Sequence, residues 1–147
     1  MKFKNHEIKP MHDLLYVAVL KGKESRMRTR FTNLLRDHLN ILVTEEIELL
    51  KEFAEKNSDG SFKLDPKNPT MPQIIKEKED IFQSEHIDLM NEDFYIEENE
   101  ANKMVLLQVA DIMLNGDFEV SGDVAVLYDK WCEQFEEVKQ RYAESEG

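Results

Sequence analysis

The sequence predicts a mainly α-helical fold with minor β structure, organised as a single domain over residues 1–147. Apolar residues recur at steps of three and four over most of the chain, which is the spacing of one helix face. Only two short segments have the composition of a strand. A length of 147 residues suits one domain with its own hydrophobic core. We therefore expect a helical bundle that contains one long amphipathic helix and one buried central helix.

The N-terminal region predicts a short strand followed by a helix. Residues 2–8 alternate weakly between apolar and polar side chains, so we predict a short N-terminal edge strand. Pro10 has a fixed φ angle that suits the first turn of a helix. Helical spacing over residues 11–20 continues that helix, and Gly22 is expected to end it.

The strongest helical pattern extends from Ser25 to Lys56. Its apolar residues recur at helical spacing without an interrupting Gly or Pro, and they are Phe31, Leu34, Leu35, Leu39, Leu42, Val43, Ile47, Leu50, Phe53 and Ala54. At 1.5 Å per residue such a helix is about 45–50 Å long. Because its apolar stripe needs a partner along its whole length, we expect either a bend near residues 39–43 or a homodimer.

The middle of the chain predicts an irregular segment, a helix and a strand. Turn residues at 57–61 and the following prolines make the chain irregular up to Pro72. Helical spacing returns over residues 72–90. A strand is predicted near residues 93–97, beside the N-terminal strand, because Phe94, Tyr95 and Ile96 favour β structure.

Two further helices are predicted in the C-terminal third. Residues 102–114 are apolar on all sides, which is typical of a buried central helix. Gly116 is expected to end this helix in the left-handed conformation. Ser121 offers an N-cap for a last amphipathic helix, whose apolar residues again recur at steps of three and four.

Charge is distributed unevenly along an acidic chain. The 31 acidic and 19 basic residues give a net charge of −12. Residues 1–40 have nine basic and four acidic residues, net +5, whereas the rest has ten and 27, net −17. Phosphates repel an acidic protein, so we expect no direct nucleic-acid binding. No apolar run approaches the roughly 18 residues of a membrane span, so we expect no membrane contact.

No catalytic or metal-binding pattern is found in the sequence. None of the four histidines has an Asp, a Glu or a second His three or four residues away, the spacing that helical metal sites need. The loop at Asp59 begins like a calcium loop, but Pro66 replaces its decisive acid. Cys132 has no nearby histidine base in the sequence. We therefore predict a non-enzymatic protein with no catalytic residue, metal or cofactor.

Two charged segments are candidates for binding a protein partner. The first is the arginine segment at the start of the long helix, with Arg26, Arg28 and Arg30. The second is the acidic segment of residues 88–100, whose candidate residues are Glu92, Asp93, Glu97 and Glu98. The two segments could pair within one chain or between two copies, or either could bind another protein. The acidic segment could also imitate phosphates and occupy a nucleic-acid-binding protein.

Several passages resemble a known family. They are Lys21 to Phe31 (KGKESRMRTRF), Asn91 to Ile96 (NEDFYI), and Ser121-Gly122-Asp123 with Tyr128, Cys132 and Phe135. Together they resemble an uncharacterised family of small proteins encoded by phages and prophages of Gram-positive bacteria. The resemblance covers nearly the whole chain, but it implies no site residue, because that family has no established activity.

The resemblance implies a role in the phage particle or in its assembly. Genes of this family often lie among tail, baseplate and lysis genes, which favours a virion-associated protein or an accessory of tail assembly. Such a protein would act through contacts with a phage or host protein, in the host cytoplasm or in the virion. The alternative is an acidic inhibitor of a host or anti-phage defence protein.

Overall fold

The computed structural model describes residues 1–146 and confirms a mainly α-helical fold with minor β structure. In chain order the elements are β1 (Lys2–Lys4), α1 (Asn5–Tyr16), α2 (Gly22–Phe53), β2 (Leu64–Asp65), β3 (Asn68–Pro72), α3 (Glu79–Met90), β4 (Asp93–Tyr95), α4 (Glu100–Asn115) and α5 (Gly122–Glu146). A 3₁₀ turn at Lys76–Lys78 precedes α3. Strand β1 pairs with β4, and β2 pairs with β3, both antiparallel.

The chain forms two compact units. Unit 1 comprises Met1–Leu39 and the chain from Asp93 onward, and unit 2 comprises Asn40–Glu92. Helix α2 begins in unit 1 and ends in unit 2. The organisation as a single domain stays a prediction. Within residues 1–146, every helix is too short or too polar to cross a membrane.

The core of unit 1 is organised around α4, the predicted central helix. Six of its side chains are buried: Val105, Leu106, Val109, Ala110, Ile112 and Met113. The expectation that α4 is buried on all sides was too strong, because Met104 is 53% exposed. Fully buried rings from other helices complete this core, and Phe31 of α2 meets Phe135 of α5 edge to face at 5.9 Å.

The N-terminal strand is shorter than predicted, and α1 begins earlier. Strand β1 ends at Lys4, where its register sets Phe3 opposite Phe94 of β4. The backbone N–H of Lys4 donates to Glu7 Oε2 at 2.6 Å, which satisfies a donor at the helix start. The placement of Pro10 in the first turn was therefore wrong, because α1 starts at Asn5 and Pro10 lies in its second turn.

The long helix is confirmed as α2, with shifted ends. It has 32 residues, which makes it about 48 Å long. Gly22 does not end the preceding helix, which stops at Tyr16, but begins α2 itself with a φ of +55°. Glycine adopts this left-handed conformation without a steric cost, so the chain can turn there from the α1–α2 connection into α2.

Unit 2 contains a small β-ribbon in the segment that was expected to be irregular. Strand β3 includes Pro69 and Pro72, and β2 is its only partner strand in the described chain. Proline is tolerated in such a ribbon because each strand has a free edge. The backbone stays extended to Ile75, whose N–H donates to the Phe53 carbonyl at 2.9 Å. For this reason α3 begins at Glu79 rather than near Pro72.

The end of α4 differs from the prediction. Gly116 has a φ of −72°, so it is not left-handed. Glycine is needed there for space, because a Cβ atom would lie 2.5 Å from the Ile112 carbonyl oxygen and 2.5 Å from Cε2 of Phe118. The absence of a side chain lets the ring of Phe118 fold back against the end of α4.

Candidate interaction surface

The three arginines of the arginine segment have different environments. Arg28 Nη1 donates to the carbonyl of Leu15 at 2.8 Å and to that of Ala18 at 2.7 Å. These carbonyls lie at and just beyond the end of α1, so Arg28 caps that helix and holds the following connection. Arg26 and Arg30 are exposed, and within residues 1–146 neither of them forms an ion pair.

Two of the predicted acidic residues form ion pairs inside unit 1. Asp93 lies 2.7 Å from Lys4 Nζ across the β1–β4 pair, and this hydrogen bond lowers the pKa of Asp93. Glu98 accepts from Arg141 through both oxygens, at 2.7 Å from Nε and 3.0 Å from Nη2. Arg141 is the largest cause of the lowered pKa of Glu98.

The other two predicted acidic residues are exposed and lie in different units. Glu97 belongs to unit 1 and accepts from Asn99 Nδ2 at 3.0 Å. Glu92 is the last residue of unit 2. There it borders a groove of about 480 Å³, which we call the acidic groove and whose acidic residues are Glu45, Glu48, Glu52, Glu85, Asp88 and Glu92. The acidic segment is therefore divided between the two units.

Unit 1 contains a second groove, of about 610 Å³, between the α1–α2 and α4–α5 connections. We call it the apolar groove. Its larger apolar side chains are Leu14, Val17, Val19, Leu20, Ile112 and Phe118, and its acidic residues are Glu24, Asp111, Asp117 and Glu119. Val17 is 72% exposed and Val19 is 96% exposed.

Local contacts fix the α1–α2 connection, residues 17–21, which carries the exposed valines. Arg28 binds the carbonyls on both sides of Val17. The N–H of Ala18 also donates to the Leu15 carbonyl at 3.2 Å. The left-handed Gly22 then starts α2. The valines are therefore held outward by a defined backbone.

The opposite wall of the apolar groove is fixed by Tyr128 of α5. Its ring packs on Phe118 with centroids 5.7 Å apart, and its hydroxyl donates to the Met113 carbonyl at 2.6 Å. Burial raises the pKa of Tyr128 to about 12. The phenol therefore keeps its proton, and with it this hydrogen bond, at physiological pH.

The charged residues that line the apolar groove are all acidic, and basic residues are exposed nearby in the sequence. At the end of the α1–α2 connection and the start of α2 the exposed basic residues are Lys21, Lys23, Arg26 and Arg30, none of which lines the groove. On the α4–α5 side the exposed acidic residues are Asp117, Glu119 and Asp123. No ion pair within the described chain includes any of these seven, whereas Asp111 pairs with Lys139 at 2.6 Å.

Each of the groups considered for chemistry has its own local contacts. Cys132 is half-buried, and burial raises the pKa of its thiol, which disfavours the reactive thiolate. His38 stacks on Phe94 with ring centroids 4.0 Å apart, while His86 lies 3.4 Å from Glu46 in unit 2. Within residues 1–146, no three His, Cys, Asp or Glu side chains are grouped to hold a metal ion.

Searches against models of protein families, curated proteins and solved structures returned no match for this chain. Sequence reasoning missed the apolar groove because residues 17–20 continue the apolar spacing of α1. One sequence signal could have indicated this groove. Four consecutive apolar residues stand directly before Lys21 and Gly22, where the helix was already expected to end.

Proposed function

We propose that this is a non-enzymatic protein of phage or prophage origin that acts through protein–protein contacts, as a virion-associated protein or an accessory of tail or particle assembly. The observation that supports contact with another protein is the outward position of Val17 and Val19 on the apolar groove. Exposed apolar surface beside a groove marks interaction sites, because its removal from water favours association.

The fixed backbone around the groove adds support. Ordering a flexible loop during binding costs free energy, which a loop already held in place avoids. Arg28 holds residues 17–21 before any partner arrives. The connection therefore has the pre-organisation of a docking surface.

The phage context and the role in the particle come from the resemblance of Lys21 to Phe31 and the two later passages. The protein would be made in the host cytoplasm and would bind a phage partner there or enter the virion. This proposal includes no substrate, cofactor, nucleic acid or membrane.

The test compares particles of the encoding phage that carry the wild-type gene, a deletion, Val19→Asp or Val126→Asp. Val126 is a matched control because it is 71% exposed in unit 1 and does not line the apolar groove. We expect the deletion and Val19→Asp to lower the yield of intact particles, with Val126→Asp close to wild type. Mass spectrometry of the virions then distinguishes a packaged protein from an assembly accessory. Normal particle yield from the deletion phage, together with the absence of the protein from wild-type virions, would contradict the proposal.

The acidic groove of unit 2 favours a second candidate, an acidic inhibitor of a host or defence protein. Of its six acidic residues, Glu48 alone has a basic ion-pair partner in the described chain, Lys51 at 2.9 Å. A set of unneutralised carboxylates is suited to a basic, phosphate-binding surface. This candidate predicts that the deletion phage forms normal particles but plates poorly on hosts that carry the inhibited protein.

A further inference from the structure

Carboxylates lie on both sides of the apolar groove. Glu24 lies on the α2 side, and Asp111, Asp117 and Glu119 lie on the side of α4 and the α4–α5 connection. Asp111 pairs with Lys139, whereas the other three are exposed and form no ion pair among residues 1–146. Three carboxylates around an apolar lining are therefore available to basic groups of another molecule.

The acidic lining disfavours several classes of occupant. The backbone of a nucleic acid and the surface of an anionic membrane are both negatively charged, so both repel these carboxylates. In a second copy of this chain the same groove is also acidic, and a two-fold contact would bring like charges together. The homodimer expected from the long helix stays a prediction and needs another surface. The occupant of this groove is expected to be cationic.

The exposed valines indicate an occupant larger than the groove itself. Val19 is almost fully exposed, so it projects from the rim of the groove into water. A small cation bound inside the groove leaves such a side chain in water. A protein segment that extends over the rim can cover it, and burial of apolar surface favours that association. The occupant therefore needs apolar side chains as well as basic ones.

The backbone around the groove favours a helix over a strand as the occupant. Of the described residues that line the groove, none belongs to a strand. At the α1–α2 connection the carbonyls of Leu15, Tyr16 and Ala18 already accept hydrogen bonds from Arg28. A strand binds by pairing with free backbone groups along an edge, whereas a helix satisfies its own backbone and docks through its side chains.

We propose that the apolar groove binds an amphipathic helix of another protein, whose apolar stripe is flanked by Lys or Arg. The apolar stripe covers Val17 and Val19, and the basic residues face Glu24 on one side and Asp117 and Glu119 on the other. This inference rests on the proposed function and names the chemistry of the partner. Exposed ion pairs are weak individually, so apolar burial holds the complex while the charges select and orient the helix.

The first test uses two synthetic peptides with the full chain. One is an amphipathic helix of about 18 residues, with Leu at helical spacing and Lys at the flanking positions. The other has Glu in place of every Lys. Fluorescence anisotropy measures the Kd of each. We expect the Leu/Lys peptide to bind with a Kd of about 1–30 µM and the Leu/Glu peptide to bind at least about 30-fold more weakly.

The second test locates the binding by charge reversal. The groove variant combines Glu24→Lys, Asp117→Lys and Glu119→Lys. The control variant reverses three exposed acidic residues of unit 1 that have no ion pair in the described chain and do not line the groove, and it combines Glu97→Lys, Glu133→Lys and Glu136→Lys. Both variants change the net charge equally, so the general attraction of an acidic protein for a basic peptide falls equally.

Only the groove variant should change its choice of peptide. We expect it to bind the Leu/Lys peptide at least about 30-fold more weakly than wild type and the Leu/Glu peptide more tightly. The control variant should lose less than about fivefold for the Leu/Lys peptide. Circular dichroism checks that both variants remain folded.

A third test examines the apolar contact. Val19→Ser should weaken binding of the Leu/Lys peptide at least about fivefold, because the complex loses a buried apolar side chain. Val126→Ser is the matched control, since Val126 is exposed in unit 1 and does not line the groove. It should bind the peptide as the wild type does.

Three results would each overturn this inference: no binding of the Leu/Lys peptide at about 100 µM, equal binding of the two peptides, or equal losses in the groove and control variants. If any of these holds but Val19→Asp lowers particle yield, the proposed function stands and the partner has another chemistry. If the groove binds the Leu/Lys peptide as expected, but the deletion phage forms normal particles and wild-type virions lack the protein, the proposed function is wrong and the chemistry of the groove stands.

Discussion

Glu7 shows how a single buried carboxylate organises unit 1. Its side chain is fully buried, Oε1 accepts from Trp131 Nε1 at 3.1 Å, and both oxygens lie 3.2 Å from Lys130 Nζ. Oε2 also accepts from the backbone N–H of Lys4. This one side chain therefore connects the start of α1 with α5, and no spacing in the sequence indicates it.

We expect Glu7→Gln to destabilise the protein by about 2–4 kcal/mol. The amide keeps one acceptor oxygen but turns an NH₂ group toward donors, which leaves buried donors without partners. Urea unfolding monitored by circular dichroism measures the loss. The exposed Glu136 on the same helix as Trp131 provides the control, since Glu136→Gln should change stability by less than about 0.5 kcal/mol. Equal stability of the two variants would contradict this role for Glu7.

Glu98 gives the protein a specific sensitivity to acid. Its pKa is lowered in the folded state by Arg141, so the unfolded chain binds the proton more readily. The stabilisation is therefore complete above the usual glutamate pKa and is lost as pH falls through the folded value. We expect the stability difference between wild type and Glu98→Gln to be largest above about pH 5 and to shrink toward pH 3.

The neighbouring Glu97 is a matched control because it is exposed and forms no ion pair in the described chain. Unfolding free energies of wild type, Glu98→Gln and Glu97→Gln are compared across this pH range. The Glu97→Gln curve should follow wild type. A difference between wild type and Glu98→Gln that stays constant with pH would show that the ion pair does not titrate as described.

The candidate residues show why the partners of single charged side chains are difficult to predict from sequence. The sequence identified Arg28, Asp93 and Glu98 as charges suited to binding, and each does bind a group of complementary charge or polarity. Their partners belong to this same chain but stand ten to 89 positions away, as Ala18, Lys4 and Arg141. Spacing within a segment cannot reveal such partners.

At the scale of elements, the α1–α2 connection depends on Arg28. We expect Arg28→Ala to speed amide hydrogen exchange of Ala18 by at least about tenfold, because the hydrogen bonds from Arg28 to the carbonyls of Leu15, Tyr16 and Ala18 are lost and the connection opens locally. Exchange in the buried part of α4 should change much less. Mass spectrometry of peptides over residues 17–21 and 105–113 measures both.

Arg26→Ala is the control for Arg28→Ala, because Arg26 is exposed and lies two residues earlier on the same helix. It should leave exchange of residues 17–21 at the wild-type rate. Equal exchange in the Arg28→Ala and wild-type proteins would mean that the connection is held by something other than these hydrogen bonds.

Elements with regular apolar spacing were predicted, and elements set by long-range contacts were not. Helices α2, α4 and α5 follow from their spacing, and β4 follows from its aromatic residues. The start of α1 was missed because the pairing of β1 with β4 and the contact from Lys4 to Glu7 determine it. The β2–β3 ribbon was missed because Pro69 and Pro72 argue against a strand unless both strands have free edges.

At the scale of the whole molecule, ion pairs within the chain neutralise its uneven charge only in part. The basic N-terminal part and the acidic remainder do meet in part, through Lys4 with Asp93 and through the N-terminal amino group of Met1 with Glu98. The arginine segment does not join these pairs. Its exposed members, Arg26 and Arg30, form no ion pair in the described chain, and neither do Asp117 and Glu119 of the apolar groove. Composition predicted the imbalance, but only the fold locates it.

The apolar groove is proposed as the surface through which this protein contacts another protein molecule. Its most direct test places a photoreactive amino acid at position 19, or at position 126 as the control, in cells that produce the encoding phage. After irradiation, position 19 should yield a discrete adduct, identified by mass spectrometry as two copies of this chain or as this chain with a phage protein. Position 126 should yield none. The absence of an adduct at position 19, or the same adduct from both positions, would contradict the claim.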